Sequence, residues 1–534
     1  MVAVAVAVPL RGLFLAPGPP MEEGFMLVFP ERVLSGDVPN RDFLHLYGPG
    51  SLWVLAAFYK VLGVSLWAER FVGLLQIVGL VAGTTYVGYR WGRWTAAVAG
   101  VVTAVIILPP IGLAALAWVG GLALGLWAVI WSVRVFDPGH QSRRTLVVAG
   151  ALAGAALLYR PDLAIALGLS LGVVGIWGLD RSGRRRLLVG LAAGLSPYLV
   201  HVAMAGFGNS ISGMFTEPVF DLRPGRRLPF PPPFDHLTSF LNKAYVYRDF
   251  SWPLPAPEQP AQLAIWFWLT VAACVALVII AVRARRSGSP EAWRLLALAL
   301  FAAGLLPQAV QRTDAAHLAW VSCVSFGLLP AFLAESTKGR NVRTAVRVAL
   351  PLVPAALMLL WPDYTLRWYV DRSAQGFGYR QEGVEMQHRG RSFFYGRRDV
   401  VDAAEALFAD VERLTEPGDR LIVGTGDLRK TPYSEAFIYY MLPQLEPGTR
   451  YIEMDPGVAN AADSGLADEL RAADVVILST INDNWDEPNA SQDVGSSKPG
   501  RVLKDEFCLE ARYGRSLFLA DRGLYELYLP CKGT

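Results

Sequence analysis

Carboxylates and arginines that are suited to acid–base chemistry lie close together near the start of this sequence. Glu22 and Glu23 are adjacent, and Arg41 and Asp42 follow in the same stretch. A carboxylate held near a reacting hydroxyl group can take its proton, whereas acids at a helix start can simply stabilise the helix N-terminus. Both interpretations remain open for Glu22 and Glu23, and Arg41 with Asp42 also fits a local loop ion pair.

Two later stretches place arginine beside aspartate between apolar runs. Arg160 and Asp162 flank a proline, and Arg312, Asp314 and His317 share one short turn. The planar guanidinium donates two parallel hydrogen bonds, which suits a phosphate group. Charges at membrane depth are costly and are therefore paired or functional, but a tight surface turn explains Arg160 and Asp162 equally well. An isolated His317 is more typical of an interfacial histidine than of a catalyst.

Several kinds of site are not indicated by the sequence. It contains no HExxH motif, no paired CxxC motifs, no P-loop and no GxGxxG motif after a strand. We therefore predict no tightly bound metal, no cofactor and no nucleotide chemistry. The net charge of +3 is small and the arginines concentrate in loops, which argues against a nucleic acid partner.

The elements that position these groups are mostly apolar. The composition is 53% hydrophobic and 18% charged, and the mean hydropathy is +0.34. Apolar runs of spanning length continue to Trp361, and we predict a polytopic α-helical membrane domain over 1–361 with about eleven spans. These spans are 2–15, 67–89, 94–109, 112–133, 145–159, 163–179, 187–206, 261–282, 295–311, 317–335 and 345–361. The apolar run 51–64 is predicted as a helix on or dipping into the outer surface.

The orientation follows from basic residues, which concentrate in alternate loops and mark the cytoplasmic side. These residues are Arg90, Arg93, Arg134, Arg143, Arg144, Arg181, Arg184 to Arg186, Arg283, Arg285, Arg286, Lys338, Arg340 and Arg343. This alternation places the N-terminus inside. It places a first outer loop over 16–66, a long outer loop over 207–260 and everything after residue 361 outside.

The first segment is unusual because it is shorter than a span. It contains Pro9 and Arg11 and lacks the positive flank and cleavage site of a secretory signal. Such a segment is consistent with the end of a longer helix, and we treat Met1 as a candidate for a misassigned start.

The remainder, 362–534, is predicted to be an extracytoplasmic α/β domain. Helical spacing over Asp399–Leu414 and Ala436–Leu442 alternates with apolar strands at Arg420–Gly424 and Val475–Ser479, which favours a parallel, Rossmann-like sheet. The acidic stretch Asp483 to Glu487 is expected to be a solvated loop, with acceptor glycan binding as the alternative.

The four cysteines divide between the two domains. Cys508 and Cys531 belong to the predicted outer domain, where oxidation is possible, so we predict a disulfide between them. Cys274 and Cys323 lie in apolar spans and are expected to be packing residues.

The first loop resembles that of a known superfamily. Its pattern is similar to that of the GT-C integral membrane glycosyltransferases. The pattern consists of an apolar first segment, an acidic pair with Gly24, the stretch Gly36-Asp37-Val38-Pro39-Asn40-Arg41-Asp42-Phe43 and then Tyr47-Gly48-Pro49. Within that superfamily the pattern is similar to the protein O-mannosyltransferase and aminoarabinose transferase branch. The resemblance covers about residues 1–361. It implies inverting transfer of a sugar from a polyprenyl-phosphate carrier outside the cytoplasm, with a first-loop carboxylate as base or acceptor-orienting group.

The resemblance also implies roles for individual residues. Glu22 and Glu23 match the acidic pair of the family, where aspartate is common at the first position, and Asp42 matches its second loop acid. We predict these three as the acid–base cluster. Arg312, Arg160 and Arg41 are predicted to bind the carrier phosphate, with Asp162, Asp314 and His317 supporting them. The implied partners are a polyprenyl-phosphate-linked sugar, a glycan, lipid or protein acceptor, and membrane lipid.

Three alternatives remain open. The chain could be a non-enzymatic carrier of lipid-linked sugars or a scaffold in envelope assembly, although it shows no clear internal repeat. A third hypothesis, an envelope sensor, leaves the first-loop acids unexplained.

The long outer loop is either a plain surface loop or a cover in which aromatic residues such as Tyr245 and Tyr247 hold a sugar ring.

Overall fold

The structure is a computed structural model of the 534-residue chain. It describes residues 1–137, 139, 143–233, 259–338, 349–358, 365–380 and 383–531. The aromatic part of the long outer loop lies outside the described residues. So do residues 345–348 and 359–361 at the two ends of the predicted span 345–361.

Apolar helices form the first two thirds of the chain. Within the described residues, seven helices are long and apolar enough to cross a membrane: Leu66–Tyr89, Arg93–Ile111, Ala117–Phe136, Arg181–Ala205, Pro260–Arg286, Ala292–Gln311 and Ala315–Ser336. Shorter apolar helices occupy Val2–Phe14, Gly50–Leu62, Arg144–Tyr159 and Pro161–Trp177. The predicted polytopic helical class is confirmed, whereas the count of about eleven spans stays a prediction.

Several of these helices are broken. Pro9 separates Val2–Ala7 from Leu10–Phe14, and Pro197 begins a new helix, Pro197–Ala205, after Arg181–Leu195. The remaining helical bounds in this part are Glu22–Leu34, Ala117–Ser132, Val133–Phe136, Arg143–Tyr159, Pro161–Leu163, Ala164–Trp177, Phe207–Ile211, the π-helix Ser212–Asp221, Leu222–Arg226, Gln259–Arg286, Ala292–Gly304, Leu306–Gln311, Leu350–Leu352, Val353–Met358 and Leu366–Gly376. We call Glu22–Leu34 the first-loop helix and Leu222–Arg226 the rim helix.

The connections between the long helices meet at two opposite ends of the bundle. At one end Arg90 binds Asp137 at 2.9 Å and Glu291 at 2.7 Å, and Arg294 binds Asp137 at 2.6 Å. These residues belong to loops that the alternation assigns to the same side. At the other end, the first loop and the turn at Arg312 contact the C-terminal domain. The two predicted sets of loops are therefore separated in space.

The C-terminal domain contains a hairpin and a five-stranded sheet. The strands are β1 Val384–His388, β2 Arg391–Tyr395, β3 Arg420–Thr425, β4 Glu446–Pro447, β5 Val475–Ser479, β6 Phe507–Tyr513 and β7 Tyr525–Pro530. The helices are Arg398–Leu414, Phe437–Met441, Leu466–Arg471, Ala490–Gln492 and Lys498–Glu506. The antiparallel β1–β2 hairpin has no counterpart in the sequence prediction.

The sheet is mixed, which corrects the predicted parallel sheet. Its order is β4-β3-β5-β7-β6, in which β3 pairs in parallel with β4 and β5, while β7 pairs antiparallel with β5 and β6. The reason is that β6 and β7 are joined by a short connection, and such connections make antiparallel pairs. A disulfide joins Cys508 on β6 to Cys531 after β7.

The first loop packs tightly on this domain. A Cβ built at Gly24 would lie 2.4 Å from the backbone nitrogen of Phe437, so the close approach leaves no room for a side chain. Phe29 and Phe437 belong to one continuous apolar core. Arg391 of β2 binds Glu31 at 2.6 Å. The first loop and the C-terminal domain therefore share one core, and the site lies where they meet the helices.

Candidate active site

A cavity of about 460 Å³ lies between the first loop, the membrane helices and the C-terminal domain. Its ionisable lining residues are Glu22, Arg160, Asp162, Arg223, Arg226, Arg312, Asp314, His317, Glu453 and Asp455. Its aromatic lining residues are Phe25, Tyr47, Trp118, Phe215, Trp320, Tyr433 and Trp485. The cavity therefore combines apolar walls with a few converging charges, as is typical of a small-molecule site.

Glu22 is the first residue of the first-loop helix, and its carboxylate reaches the cavity. The hydroxyl of Tyr433 donates a hydrogen bond of 2.6 Å to Glu22 Oε2. Burial raises the pKa of the Glu22 carboxyl above its ordinary value, and the Tyr433 hydroxyl and Arg226 oppose that rise. Glu22 is thus a half-buried carboxylate with one fixed oxygen, which suits a base.

Glu23 lies away from the cavity. Successive helix residues point about 100° apart, so neighbours on the first-loop helix face different surroundings. Arg70 binds Glu23 through two hydrogen bonds of 2.7 and 2.8 Å, and both side chains are at most 2% exposed. The predicted place of Glu23 in an acid–base cluster therefore finds no support in the geometry, which gives it a structural ion pair.

Arg41 and Asp42 are also outside the cavity lining. Arg41 binds Asp42 at 2.7 Å, and Asp42 accepts a hydrogen bond of 2.7 Å from the backbone N–H of Val38. Arg41 is 46% exposed in this pair. The pair fits the local loop interaction that the sequence left open, and we carry neither residue into the site.

Arg160 and Asp162 line the cavity together. Arg160 donates to both carboxylate oxygens of Asp162, at 3.0 and 2.7 Å. The guanidinium also stacks over the rings of Tyr47 and Trp118, at 4.2 and 4.6 Å from their centroids. Gln308 donates a further hydrogen bond to Asp162. These contacts hold Arg160 in one orientation at the cavity wall.

Arg312 joins three parts of the molecule. It binds Asp314 at 2.6 Å, and it binds Glu487 of the C-terminal domain through both terminal nitrogens. It also donates 2.6 Å to the carbonyl oxygen of Arg226, the last residue of the rim helix. Arg312 therefore fixes the rim helix and the C-terminal domain, and its charge is already balanced by two carboxylates.

Asp314 caps the Ala315–Ser336 helix and orients His317. Its Oδ1 accepts the backbone N–H of His317 at 2.9 Å and lies 2.8 Å from His317 Nδ1. Although burial raises it, the neighbouring His317 and Arg312 lower the pKa of Asp314 below its ordinary value. Asp314 is thus a charged anchor, and His317 lines the cavity beside Trp320.

The rim helix supplies two more arginines to the cavity. Arg226 binds Asp455 at 3.2 Å and donates 2.7 Å to the carbonyl oxygen of Pro432. Arg223 is exposed and has no carboxylate partner among the residues that the structure describes. Of the four arginines in the lining, Arg223 is therefore the one with charge available for an anion. In the sequence this position falls within the predicted long outer loop 207–260, which did not distinguish it from its neighbours.

The C-terminal domain supplies residues that sequence analysis missed. Tyr433 stacks on Trp485 with ring centroids 4.9 Å apart, and Glu453 and Asp455 lie beside them in the lining. Trp485 and Glu487 are buried, so the expected solvated loop is wrong for these two residues. Their burial has no local signal, because their partners Tyr433 and Arg312 lie in other parts of the chain.

Comparison with solved structures of known proteins identifies the fold of this chain. ArnT from Cupriavidus metallidurans bound to undecaprenyl phosphate matches with a TM-score of 0.56 at 14% identity, over 100% of this chain and 97% of that chain. Its apo state matches with a TM-score of 0.51 at 15% identity, over 99% and 96%. The chain has the GT-C fold. The resemblance predicted from the first loop is thereby confirmed for the GT-C architecture and its C-terminal α/β domain.

More distant comparisons add nothing to this assignment. The oligosaccharyltransferase of Archaeoglobus fulgidus matches with a TM-score of 0.48 at 13% identity, over 99% of this chain and 76% of that chain, which is too distant to carry an argument. The sequence matches no family model and no curated protein.

Among the described residues, no group of three or more His, Cys, Asp or Glu side chains is arranged to hold a metal ion. The lining of the cavity offers carboxylates, arginines and aromatic rings.

Proposed function

We propose that the protein is a glycosyltransferase that moves a sugar from a polyprenyl-phosphate donor to a hydroxyl group of a cell-envelope acceptor. The observation that carries the proposal is that Glu22 and several arginines line one cavity at the end of a GT-C helical bundle. The ArnT structure with the same fold contains undecaprenyl phosphate, which supports a polyprenyl-phosphate ligand here.

Glu22 acts as the base in this proposal. The acceptor hydroxyl oxygen forms a bond to the anomeric carbon of the sugar while its proton passes to the Glu22 carboxylate. The bond between that carbon and the phosphate oxygen breaks, and polyprenyl phosphate leaves as an anion. Attack from the face opposite the leaving group inverts the anomeric centre. Tyr433 fixes one carboxylate oxygen of Glu22, which orients the other for the acceptor.

The leaving phosphate needs positive charge close to the oxygen on which its negative charge grows. Arg223 is the first choice because its charge is not balanced by a carboxylate within the described part of the chain. Arg160 is the second, since it is held at the wall by Tyr47 and Trp118. Arg312, the first candidate from sequence, is assigned to holding the rim helix, with Asp314 and His317 supporting it.

The membrane orientation is part of the proposal. The loops with basic clusters would face the cytoplasm, and the cavity with the C-terminal domain would face outward. No nucleotide is required there, because the sugar–phosphate bond of the donor already stores the energy for transfer.

The test is transfer of labelled sugar from a panel of undecaprenyl-phosphate sugars to an envelope acceptor extract, with the purified protein in lipid nanodiscs. We expect Glu22→Gln to lower kcat by about 100-fold or more, as loss of a general base does. The matched control is Glu446→Gln, an exposed glutamate of the C-terminal domain, which should leave transfer unchanged. Donor binding without transfer by the wild type from any donor would favour a lipid-linked-sugar carrier instead.

A further inference from the structure

Within the described part of the chain, Glu453 has no partner that accounts for its burial. Its side chain lines the cavity, yet the residue is only 6% exposed. Its Oε1 atom is buried without a hydrogen-bond partner. The nearby guanidinium of Arg226 binds Asp455 instead. A buried polar atom without a partner is uncommon in folded proteins and calls for a ligand or another explanation.

We infer that Glu453 binds the sugar of the donor by accepting hydrogen bonds from its hydroxyl or amino groups. This inference rests on the proposed function, and it assigns the recognition of the sugar to the C-terminal domain.

The charges around Glu453 favour the sugar of the donor over its phosphate as the ligand of this residue. Glu22 and Asp455 are its acidic neighbours, so a phosphate group next to Glu453 would meet repulsion from several carboxylates. Burial and the adjacent Asp455 raise the pKa of Glu453 well above its ordinary value. Groups that donate hydrogen bonds, such as sugar hydroxyls or an ammonium, supply the missing partner and favour the charged form of the Glu453 carboxyl.

The position of Glu453 is consistent with a sugar between base and leaving group. Tyr433 and Trp485 provide stacked aromatic rings in the same lining, and aromatic surfaces pack against the apolar faces of sugars. The arginines proposed for the phosphate, Arg223 and Arg160, belong to the rim helix and the membrane helices. The carrier is therefore held by the membrane side and the sugar by the C-terminal side.

The backbone fixes Glu453 firmly. Ser434 donates a hydrogen bond of 3.1 Å to the carbonyl oxygen of Ile452, and the next residue, Met454, has a φ of 51°. A left-handed conformation is costly for methionine, and such strain persists only where the surroundings enforce it. The segment that carries Glu453 and Asp455 is thus held in a defined shape.

The experiment measures equilibrium binding of undecaprenyl phosphate and of a panel of undecaprenyl phosphates that carry a pentose, a hexose or an amino sugar. The proteins are the full-length wild type, Glu453→Ala, Glu453→Gln and the exposed control Glu385→Ala, all in nanodiscs. We expect the wild type to bind one sugar-bearing carrier about 10-fold more tightly than the bare carrier, which corresponds to about 1.4 kcal/mol.

Glu453→Ala should reduce this ratio to near one. Its affinity for bare undecaprenyl phosphate should stay within about 3-fold of the wild-type value, a smaller change than the loss of one hydrogen bond to a charged group would cause. Glu453→Gln should retain part of the ratio, and Glu385→Ala all of it. A ratio that survives in Glu453→Ala, or a wild-type ratio of one, would overturn the inference while leaving the proposed function standing. Failure of the wild type to bind any carrier would instead overturn the proposed function. Unchanged binding of the bare carrier serves as the check on folding.

Discussion

The hydrogen bond from Tyr433 to Glu22 sets the pH range of the proposed reaction. That bond stabilises the charged carboxylate and so lowers the pKa of Glu22, which burial otherwise raises. Tyr433→Phe removes the hydroxyl, and the pKa of Glu22 should rise further. We expect the acidic limb of the pH profile of kcat/KM to move upward by about one pH unit, in line with one hydrogen bond to a charged group.

The measurement compares pH–rate profiles of wild type and Tyr433→Phe between pH 5 and 9, a range chosen around a raised carboxyl pKa. Tyr439→Phe is the control, since the Tyr439 hydroxyl oxygen accepts a hydrogen bond from the backbone N–H of Val423 inside the C-terminal domain. An unmoved limb in Tyr433→Phe would mean that another group titrates in the reaction.

The buried pair of Glu23 and Arg70 should contribute to stability and have no part in chemistry. Glu23→Gln removes the carboxylate that binds the buried guanidinium of Arg70, and loss of one partner of a buried ion pair typically costs about 3 to 5 kcal/mol. We expect a clear drop in the thermal midpoint of the detergent-solubilised protein. Transfer per folded molecule should stay near the wild-type value. A normal midpoint with lost transfer would return Glu23 to the catalytic candidates.

The sequence predicted which stretches carry the charges but could not assign the role of each charge. Glu22 and Glu23 are neighbours with identical chemistry, and only the helix turn sends one to the cavity and the other to Arg70. Tyr433, the partner of Glu22, is 411 residues away. Contacts at such separations depend on the packed core between domains, which local patterns do not encode.

The close approach of the first-loop helix to the Phe437–Met441 helix should tolerate no side chain at Gly24. In Gly24→Ala the new methyl group would lie 2.4 Å from the nitrogen of Phe437, so the two helices must separate. Because Glu22 and Tyr433 lie at either side of this contact, we expect transfer to fall at least 10-fold, the size of effect that a displacement of about 1 Å produces.

Activity and thermal midpoint are the two measurements for Gly24→Ala, with Gly500→Ala as the matched control. Gly500 lies in the Lys498–Glu506 helix, and a methyl group there meets open space. Wild-type transfer by Gly24→Ala would show that the two helices need not touch for the site to form.

The disulfide closes the β6–β7 pair at its outer end. Cys508 and Cys531 are separated by 23 residues, and a cross-link over such a loop is worth about 3 kcal/mol in the loop-entropy estimate. Replacing both residues with serine should lower the thermal midpoint of the C-terminal domain without changing the cavity. The check is thermal unfolding together with thiol labelling, which should find two more thiols after reduction of the denatured wild type.

The sequence predicted those helices and strands whose pattern is visible in consecutive residues. It did not predict features that depend on pairing between distant strands. The helix predicted over Asp399–Leu414 is observed at Arg398–Leu414, and the strand Val475–Ser479 is observed with the same bounds. The β1–β2 hairpin was missed because β1 alternates over only five residues and β2 does not alternate between polar and apolar residues. The direction of β6 and β7 depends on which strand each one joins, and composition does not determine that.

The orientation of the whole molecule can be tested with single introduced cysteines. The free cysteines, Cys274 and Cys323, are buried and should not react. We expect a membrane-impermeant maleimide to label Glu385→Cys on the C-terminal domain in intact spheroplasts. It should label Arg185→Cys, at the exposed basic start of the Arg181–Leu195 helix, only after permeabilisation, because basic ends of spans remain on the cytoplasmic side. The reverse pattern would invert the proposed topology and place the cavity inside.

The cavity is assembled from both ends of the chain, and this has a consequence for how the protein is made. Glu22 emerges early from the ribosome, whereas Tyr433, Glu453 and Trp485 are synthesised only after all the membrane helices. A nascent or truncated chain inserted in the bilayer would have a base without its partner and no wall on the C-terminal side. Such a chain would lack the wall that encloses a lipid-linked sugar. Under the proposed function, sugar transfer would therefore begin only once translation and translocation are complete.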